Sequence, residues 1–432
     1  MRSGIKPSWG FTSDEPTNQL APNDEQSGKL GKQVRLLLAV HGLFAAGTAL
    51  SGTFVNVYLW KASHDYTIIG WYALINYIAM AIVFWAAGVW VKEHNKMNCL
   101  RLGVAVSASF YMLVLWLGDR AVDYYWVLGI ILGTASGLFW LAFNIVYFEV
   151  TDPYNRDRFN GWTGLLGSVA GMIAPWIAGF IIVQMSPSSG YRLIFTISLV
   201  IFLMGVVVSF FLTKRKSEGH YEWLLPARCL LKKGTVWRTV SLALIAQGIR
   251  EGVFGFLIAL LVYSSTGSEM MLGNFSLITS GVALISFMVT GKLLKHKHRA
   301  AAMGWGALMM TLVIVPMFWG VNYTTLLIFG VGVGLFFPLY SIPMTSSVFD
   351  LIGVDPDCVK KREEYIIFRE LSLNVGRIGG LAVFIGVVSV TVSPLAMNIL
   401  LLTIGSSPLI AWLMMRKIYG YRKVQPAAEA IK

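Results

Sequence analysis

Residues 60–96 read WKASHDYTIIGWYALINYIAMAIVFWAAGVWVKEHNK, and they align at a constant offset of 203 positions with residues 263–299, YSSTGSEMMLGNFSLITSGVALISFMVTGKLLKHKHR. In this alignment Gly70 falls on Gly273 and Gly88 falls on Gly291. Each copy contains a short polar gap, an apolar segment between two glycines, and a basic loop. Two similar apolar halves predict a membrane protein whose functional site lies at the interface between the halves.

The composition of the chain agrees with this interpretation. The 432 residues are 56% hydrophobic and only 13% charged, with a mean hydropathy of +0.65, whereas soluble domains carry about 25% charged residues. Apolar runs of about 20 residues, long enough to cross a bilayer, recur along the chain. The sequence therefore predicts an all-α integral membrane protein with twelve spans at roughly 34–59, 66–91, 100–118, 124–148, 161–184, 190–212, 238–263, 271–291, 300–320, 323–347, 364–389 and 393–415.

The spans divide into two groups of six around a longer polar segment. We expect a disordered cytosolic tail over residues 1–33, since this stretch has few apolar residues. The first six-helix bundle is predicted over 34–212 and the second, pseudo-symmetric bundle over 238–416. The linker 213–237 contains an amphipathic segment, Tyr221–Leu231, that we expect to lie at the membrane surface. Residues 417–432 are predicted to form a second cytosolic tail.

Basic residues are distributed unevenly between the two ends of the spans. The net charge of +13 could indicate nucleic-acid binding, but the loops predicted on one side hold most of the Lys and Arg. The other side and its edges hold only Lys61, Arg120 and Arg192. The positive-inside rule then places both termini in the cytoplasm of a cell-membrane protein. We expect no nucleic-acid partner.

Metal, cofactor and enzyme functions are not favoured by the sequence. The cysteines Cys99, Cys229 and Cys358 have no metal-site spacing, and the six histidines are scattered. A membrane enzyme would need catalytic side chains gathered at one face. The chain has no Walker-type phosphate loop. We therefore expect a protein that is not an enzyme, with no metal and no cofactor.

Ionisable residues in the seventh and eleventh predicted spans are the strongest candidates for a site. Arg250 and Glu251 lie about 12 residues inside the seventh span, at a depth of roughly 18 Å. Glu370, Asn374 and Arg377 in the eleventh span share one helix face at i, i+4 and i+7. Charges inside a bilayer are costly, so these residues are predicted to bind substrate or protons. A structural ion pair between the bundles is the alternative.

Further polar and aromatic residues in other spans are candidates for the same site. Lone polar residues in spans more often join helices by hydrogen bonds, and we keep that alternative for each of them. These candidates are His41, Asn56, Asn76, Trp140 and Asn144.

A charged segment follows the fourth predicted span. Glu149 ends that span, and Asp152, Arg156 and Arg158 come next. We predict that these residues form a network of ion pairs that acts as a cytosolic gate. A solvated turn is the alternative.

The chain resembles the major facilitator superfamily over roughly residues 34–416. The loop after the second span resembles a family motif of Gly, three residues, Asp, Gly and basic residues, with Gly88, Lys92, Glu93 and Lys96 in the corresponding region. Lys92 stands where the family has Asp, so the gating role of that Asp is expected to pass to Glu93. The resemblance implies two six-helix bundles around a central cavity, and it adds these four residues to the predicted cytosolic gate.

The fifth span resembles the antiporter motif of this superfamily. The motif positions hold Gly161, Ala170, Ala174, Pro175, Ala178 and Gly179. This resemblance implies a bent helix with a smooth face and proton-coupled export, although close packing alone also explains small residues in a span. The arginine that export families often carry in the fourth span is missing.

The function predicted from these features is secondary active transport by alternating access. We expect proton-coupled export of a small or amphipathic molecule by a monomer in the lipid bilayer. A lipid or glycolipid flippase of the same fold is one alternative, and a receptor or scaffold without transport is another.

Overall fold

The computed structural model describes residues 31–150, 156–214, 219–354 and 356–429. Its α-helices are α1 (Lys32–Ser63), α2 (Tyr66–Ala86), α3 (Gly88–Glu93), α4 (Lys96–Leu117), α5 (Tyr125–Val150), α6 (Arg156–Gln184), α7 (Pro187–Ser209), α8 (Leu225–Leu231), α9 (Val236–Thr266), α10 (Glu269–Leu293), α11 (Arg299–Leu312), α12 (Tyr323–Val354), α13 (Pro356–Lys360), α14 (Arg362–Val388), α15 (Pro394–Gly405) and α16 (Ser407–Glu429).

Twelve helical segments within the described residues are long and apolar enough to cross a membrane. The same residues contain no β-strand. A backbone inside a bilayer must satisfy its own hydrogen bonds, and continuous helices do so. The predicted fold class, an all-α membrane protein with twelve spans, is confirmed.

The two halves pack their helices in the same order. In the first half, α2 and α4 pack on α5, while α1 packs on α6 and α7. In the second half, α10 and α11 pack on α12, while α9 packs on α14 and α16. The halves meet along two helix pairs, α6 with α10 and α2 with α14. This repeated pairing is the three-dimensional counterpart of the repeat in the sequence.

Two spans are interrupted at positions that proline explains. Proline lacks an N–H and clashes with the carbonyl four residues earlier. Leu312 lies four residues before Pro316, and α11 ends at Leu312. A short 3₁₀ helix, Val315–Trp319, follows. Pro408 likewise lies just after the break between α15 and α16. By contrast, α12 continues through both of its prolines.

Glycines bring α9 and α14 into backbone contact at the centre of the second half. A Cβ atom on Gly376 would overlap the carbonyl oxygen of Ile245, and one on Gly252 would lie 2.6 Å from the carbonyl oxygen of Arg377. Only glycine allows this approach. The same crossing places Glu251 on α9 beside Arg377 on α14.

Replacing Gly376 with alanine should therefore destabilise the protein. We expect Gly376→Ala to lower the melting temperature in detergent, because overpacking costs about 1–3 kcal/mol. Gly379→Ala is the matched control: it lies three residues further along α14, and a Cβ there would meet no atom within 4 Å. Alanine is the better helix former by about 1 kcal/mol, so the control should melt at or above the wild-type temperature. Equal losses in both variants would contradict the proposed contact.

Candidate functional site

A carboxylate–guanidinium pair occupies the middle of the second half. Glu251 Oε2 accepts hydrogen bonds from Arg377 Nη2 at 2.8 Å and Nε at 3.2 Å. Glu251 Oε1 accepts a hydrogen bond from Gln247 Nε2 at 2.6 Å, and Arg377 Nη1 donates to Asn374 Oδ1 at 3.2 Å. Both oxygens of the carboxylate are therefore hydrogen-bonded, which offsets the cost of placing a charge inside the helix bundle.

This pair lies at the interface between the halves. The guanidinium of Arg377 lies 5.3 Å from the centre of the Tyr77 ring on α2. The Glu251 side chain keeps 27% of its surface accessible although it lies deep along α9. Its carboxylate is therefore not packed entirely against apolar side chains.

A second charged pair joins the halves nearer to the α14 N-terminus. Arg369 and Glu370 form an ion pair, and Glu370 Oε1 accepts a hydrogen bond from Asn144 Nδ2 on α5 at 3.3 Å. The guanidinium of Arg369 lies 5.5 Å from the centre of the Phe349 ring. The structure thus brings Asn144, predicted from the first half, to Glu370, predicted from the second.

Arg250 differs from the other two central arginines. Its side chain is buried, with the residue 8% exposed, and its guanidinium lies 4.7 Å from the centre of the Phe254 ring. It interacts electrostatically with Tyr340 on α12 and with Glu251. Within the described residues it makes neither an ion pair nor a hydrogen bond, and its Nε is a buried donor without an acceptor.

In the first half, His41 lies in a cluster of aromatic side chains. The imidazole of His41 stacks on Phe143 with ring centres 4.9 Å apart and meets Trp140 edge-on at 5.8 Å. Phe44 joins this group by an edge contact with Trp140 at 5.9 Å. The predicted residues His41 and Trp140 are therefore neighbours.

Two predicted residues are not brought into the central group. Asn56 on α1 is half-buried, and the Oδ1 atom of Asn76 on α2 is buried without a hydrogen-bond partner. Among the described residues, no hydrogen bond joins either side chain to the central charges. The Asn76 backbone carbonyl instead packs where Gly133 of α5 leaves room for it.

A network of ion pairs joins the halves at the end of the bundle that carries Lys92, which we call the basic end. Lys92 Nζ lies 3.0 Å from Glu363 Oε2 and 3.3 Å from Glu364 Oε2, and both carboxylate side chains are 1% exposed. Glu149 pairs with Lys96 in its own half and with Arg362 of the other half at 3.1 Å. Lys92 thus supplies a cation to acidic partners at the position where the family motif has an aspartate.

The linker is attached to this network on both sides. Glu93 Oε1 accepts a hydrogen bond from the Tyr221 backbone N–H at 3.1 Å, so Glu93 contacts the linker, while Lys92 reaches α14. The Tyr221 ring packs directly on Gly88, where a Cβ would overlap it. Glu222 pairs with Lys361, and this hydrogen bond raises the pKa of Lys361.

Several predicted gate and motif residues lie beyond what the structure describes. Asp152 lies outside the described residues. Arg156 and Arg158 are in the first turn of α6, but their side chains are not among those described. The surroundings of Gly161 are likewise outside the described part.

A second group of polar contacts joins the halves at the opposite end, which we call the Lys61 end. Lys61 Nζ lies 2.9 Å from Glu269 Oε1, which also accepts a hydrogen bond from Tyr191 at 3.0 Å. Tyr66 on α2 donates a hydrogen bond to Ser264 Oγ on α9 at 3.3 Å. The sequence analysis missed this group. A signal was available, since Lys61 is one of the few basic residues expected on its side.

The antiporter-like segment forms part of the packing between the halves near the Lys61 end. A Cβ on Gly179 would lie 2.5 Å from the backbone carbonyl oxygen of Glu269, and one on Gly273 would lie 3.0 Å from the carbonyl oxygen of Pro175. Ala178 is buried and Ala174 is half-buried. Ala170 is also half-buried. The small residues of α6 therefore allow α10, which begins at Glu269, to approach closely.

Two bacterial proteins are similar to this chain in sequence. The chain is 38% identical to "Uncharacterized protein YqgE" of Bacillus subtilis (strain 168) over 360 residues, which cover 83% of this chain and 84% of the relative. It is 42% identical over 167 residues to "Uncharacterized protein in sodM 3'region" of Geobacillus stearothermophilus, covering 39% of this chain and 78% of that protein.

Solved structures with a similar fold include a bacterial homologue of the iron transporter ferroportin. Its outward-facing state with soaked iron has a TM-score of 0.61 at 15% identity, covering 89% of this chain and 98% of that one. Its inward-facing state has the same TM-score at 16% identity, covering 90% and 99%. At these identities the likeness concerns the fold alone. The family model described as Major Facilitator Superfamily matches residues 36–354. This match spans well over half of the chain, and the protein belongs to the Major Facilitator Superfamily.

Proposed function

We propose that this protein is a secondary active transporter that works by alternating access and exports its substrate in exchange for protons. The observation that carries the proposal is that polar contacts join the halves at both ends, around a central group of charges. Lys92 with Glu363 and Glu364 joins them at the basic end, and Lys61 with Glu269 joins them at the other.

Each of these groups can serve as a gate. An ion pair between two rigid bundles holds its own end closed, and separating it allows that end to open. Alternating access requires two arrangements of the bundles in which one gate is open while the other is closed. In the arrangement seen here, ion pairs bridge both ends, as expected for an occluded intermediate between the two open arrangements.

Proton coupling is proposed from the two central carboxylates. Protonation of Glu251 would remove the negative charge that balances Arg377, and protonation of Glu370 would do the same for Arg369. Losing one partner of a buried pair costs about 3–5 kcal/mol. This is enough to shift the balance between two arrangements of the bundles if only one arrangement retains the proton.

The orientation and direction follow from the distribution of charge and from the α6 segment. We place the basic end in the cytoplasm of the cell membrane, with both termini on that side, because basic loops remain inside. Export is suggested by the antiporter-like residues Pro175 and Gly179 in the packing between α6 and α10. We propose a monomer, since both gates form between the two halves of one chain.

The substrate is proposed to be a small or amphipathic molecule. The first half offers the aromatic group around His41 and Trp140, and the second half offers charged and amide groups. A lipid or glycolipid flippase remains the second candidate, because an amphipathic substrate fits the same two surfaces. A receptor or scaffold without transport would not need a gate at each end.

Removing the cation of the basic-end gate should open that end. Lys92→Met leaves Glu364, which is 1% exposed, without the cation that faces it. We expect faster maleimide labelling of Asn144→Cys in inverted membrane vesicles, in a background where the native cysteines are replaced by alanine. Lys361→Met is the matched control, because its pair with Glu222 is substantially exposed (43% and 38%) and such pairs contribute little. Equal labelling rates in the two variants would contradict a gate at Lys92.

Removing the anion of the gate at the Lys61 end should open that end in the same way. Glu269→Gln removes the charge that holds Lys61 and should speed labelling of Asn144→Cys in right-side-out vesicles. Asp65→Asn serves as the control because asparagine preserves the helix cap that Asp65 forms with Thr67. A rate unchanged from that control would count against an external gate.

Neutralising the central carboxylate should separate transport from proton coupling. With a substrate identified by thermal-shift screening of cationic drugs, sugars, organic anions and glycolipids, wild-type protein in liposomes should accumulate it along a proton gradient. We expect Glu251→Gln to retain exchange of labelled for unlabelled substrate without accumulation. Asp123→Asn, which alters an exposed acid outside the central group and both gates, should behave as wild type. Full accumulation by Glu251→Gln would refute the assignment of Glu251.

A further inference from the structure

We infer that Arg250 and Tyr340 form an anion-binding subsite and that the transported molecule carries a negatively charged group such as a carboxylate or phosphate. This inference rests on the proposed transport function and specifies the substrate class of its central site. It goes beyond the general expectation of a small or amphipathic substrate.

The balance of charge in the central group supports this assignment. Three arginines lie there, Arg250, Arg369 and Arg377, with two carboxylates, Glu251 and Glu370. Glu251 is paired with Arg377, and Glu370 is paired with Arg369. One positive charge, that of Arg250, remains without a pairing anion among the described residues. An anionic group on the substrate would balance it.

The hydrogen-bonding groups around Arg250 lead to the same conclusion. Its Nε and the hydroxyl of Tyr340 are both buried atoms without a hydrogen-bond partner in the described structure. Tyr340 of α12 belongs to the same buried cluster as Leu244 and Ala246 of α9, and it interacts electrostatically with Arg250. Both can donate hydrogen bonds, and the planar fork of arginine matches the oxygens of a carboxylate or phosphate.

A purely structural role would give Arg250 a different environment. A buried guanidinium that stabilises a fold is normally paired and fully hydrogen-bonded, as Arg377 is with Glu251 and Asn374. Leaving such a charge unpaired destabilises the protein. Groups held at a cost to stability occur where a ligand completes their interactions. The Phe254 ring beneath the Arg250 guanidinium offsets only part of this cost.

The donor set also distinguishes this site from a cation site. Divalent metals bind to carboxylate, imidazole and thiolate groups. No cluster of three or more His, Cys, Asp or Glu side chains suited to a metal occurs among the described residues. The two groups assigned to this subsite, Arg250 Nε and the Tyr340 hydroxyl, can both donate hydrogen bonds to an anion.

Thermal unfolding of purified full-length protein in detergent tests the inference through two opposite effects. Without ligand, Arg250→Gln should melt at or above the wild-type temperature, because it removes an unpaired buried charge. Arg377→Gln is the matched control and should melt lower, because it leaves Glu251 unpaired. A loss of melting temperature for Arg250→Gln similar to that for Arg377→Gln would overturn the inference, since it would show that Arg250 stabilises the fold.

Ligand probes supply the second arm, at constant ionic strength. Benzoate and phenyl phosphate should raise the wild-type melting temperature more than the uncharged benzamide and benzyl alcohol, and Arg250→Gln should lose that difference. Short-chain phosphatidylglycerol compared with phosphatidylcholine of equal chain length tests whether the anionic group belongs to a lipid. A charge-dependent shift from either family of probes supports the subsite and identifies its source. Shifts independent of charge, or none from any anionic probe, would refute it.

These outcomes separate the subsite from the transport proposal. If Lys92→Met and Glu269→Gln open their respective ends while no anion stabilises the protein, alternating access stands and the anion subsite fails. If anions bind through Arg250 but neither gate variant changes labelling, the site is a binding site in a protein that does not transport.

Discussion

The need to pair every charge inside a low-dielectric bundle is the constraint on which the rest of this structure depends. Glu251 can lie deep in α9 only because Arg377 and Gln247 satisfy its carboxylate. That arrangement in turn requires α9 and α14 to touch along their backbones, which glycines such as Gly376 permit. The glycine contact therefore sets the distance between α9 and α14 that the central ion pair requires.

The same constraint supports the proposal that the ends of the bundle act as gates. Lys92 lies on one half and Glu363 and Glu364 lie on the other, and all three have little access to water, so the buried charges depend on contacts between the halves. At the opposite end Lys61, whose side chain is 32% exposed, pairs with the buried Glu269 of the other half. Pairs of this kind are favourable when closed and become solvated when open. In the proposed mechanism, the two halves exchange arrangements without leaving these charges buried alone. Arg250 is the exception, because it has no ion-pair partner among the described residues. We propose that the substrate supplies the negative charge that balances it.

Much of the fold could be predicted from the sequence, since the apolar runs and the repeat depend only on local composition. The spacing of Glu370, Asn374 and Arg377 also showed that they share a helix face. Contacts between distant helices could not be read in this way. Nothing in the sequence pairs Lys92 with Glu363, and the family motif directed attention to Glu93, which contacts the linker. Lys61 with Glu269 was missed because each residue alone resembles an ordinary charge at a helix end. The breaks before Pro316 and Pro408 required only the chemistry of proline and were predictable in principle.

The most direct test of alternating access is the distance between the halves, measured by double electron–electron resonance in nanodiscs. One pair of spin labels at the exposed positions His94 and Lys297 reports on the basic end, and another at Asp123 and Thr391 reports on the opposite end. At neutral and at mildly acidic pH, the account predicts at least two distances at each end, with populations that shift in opposite directions as the pH changes. A single distance at both ends under all conditions, or ends that open together, would contradict it.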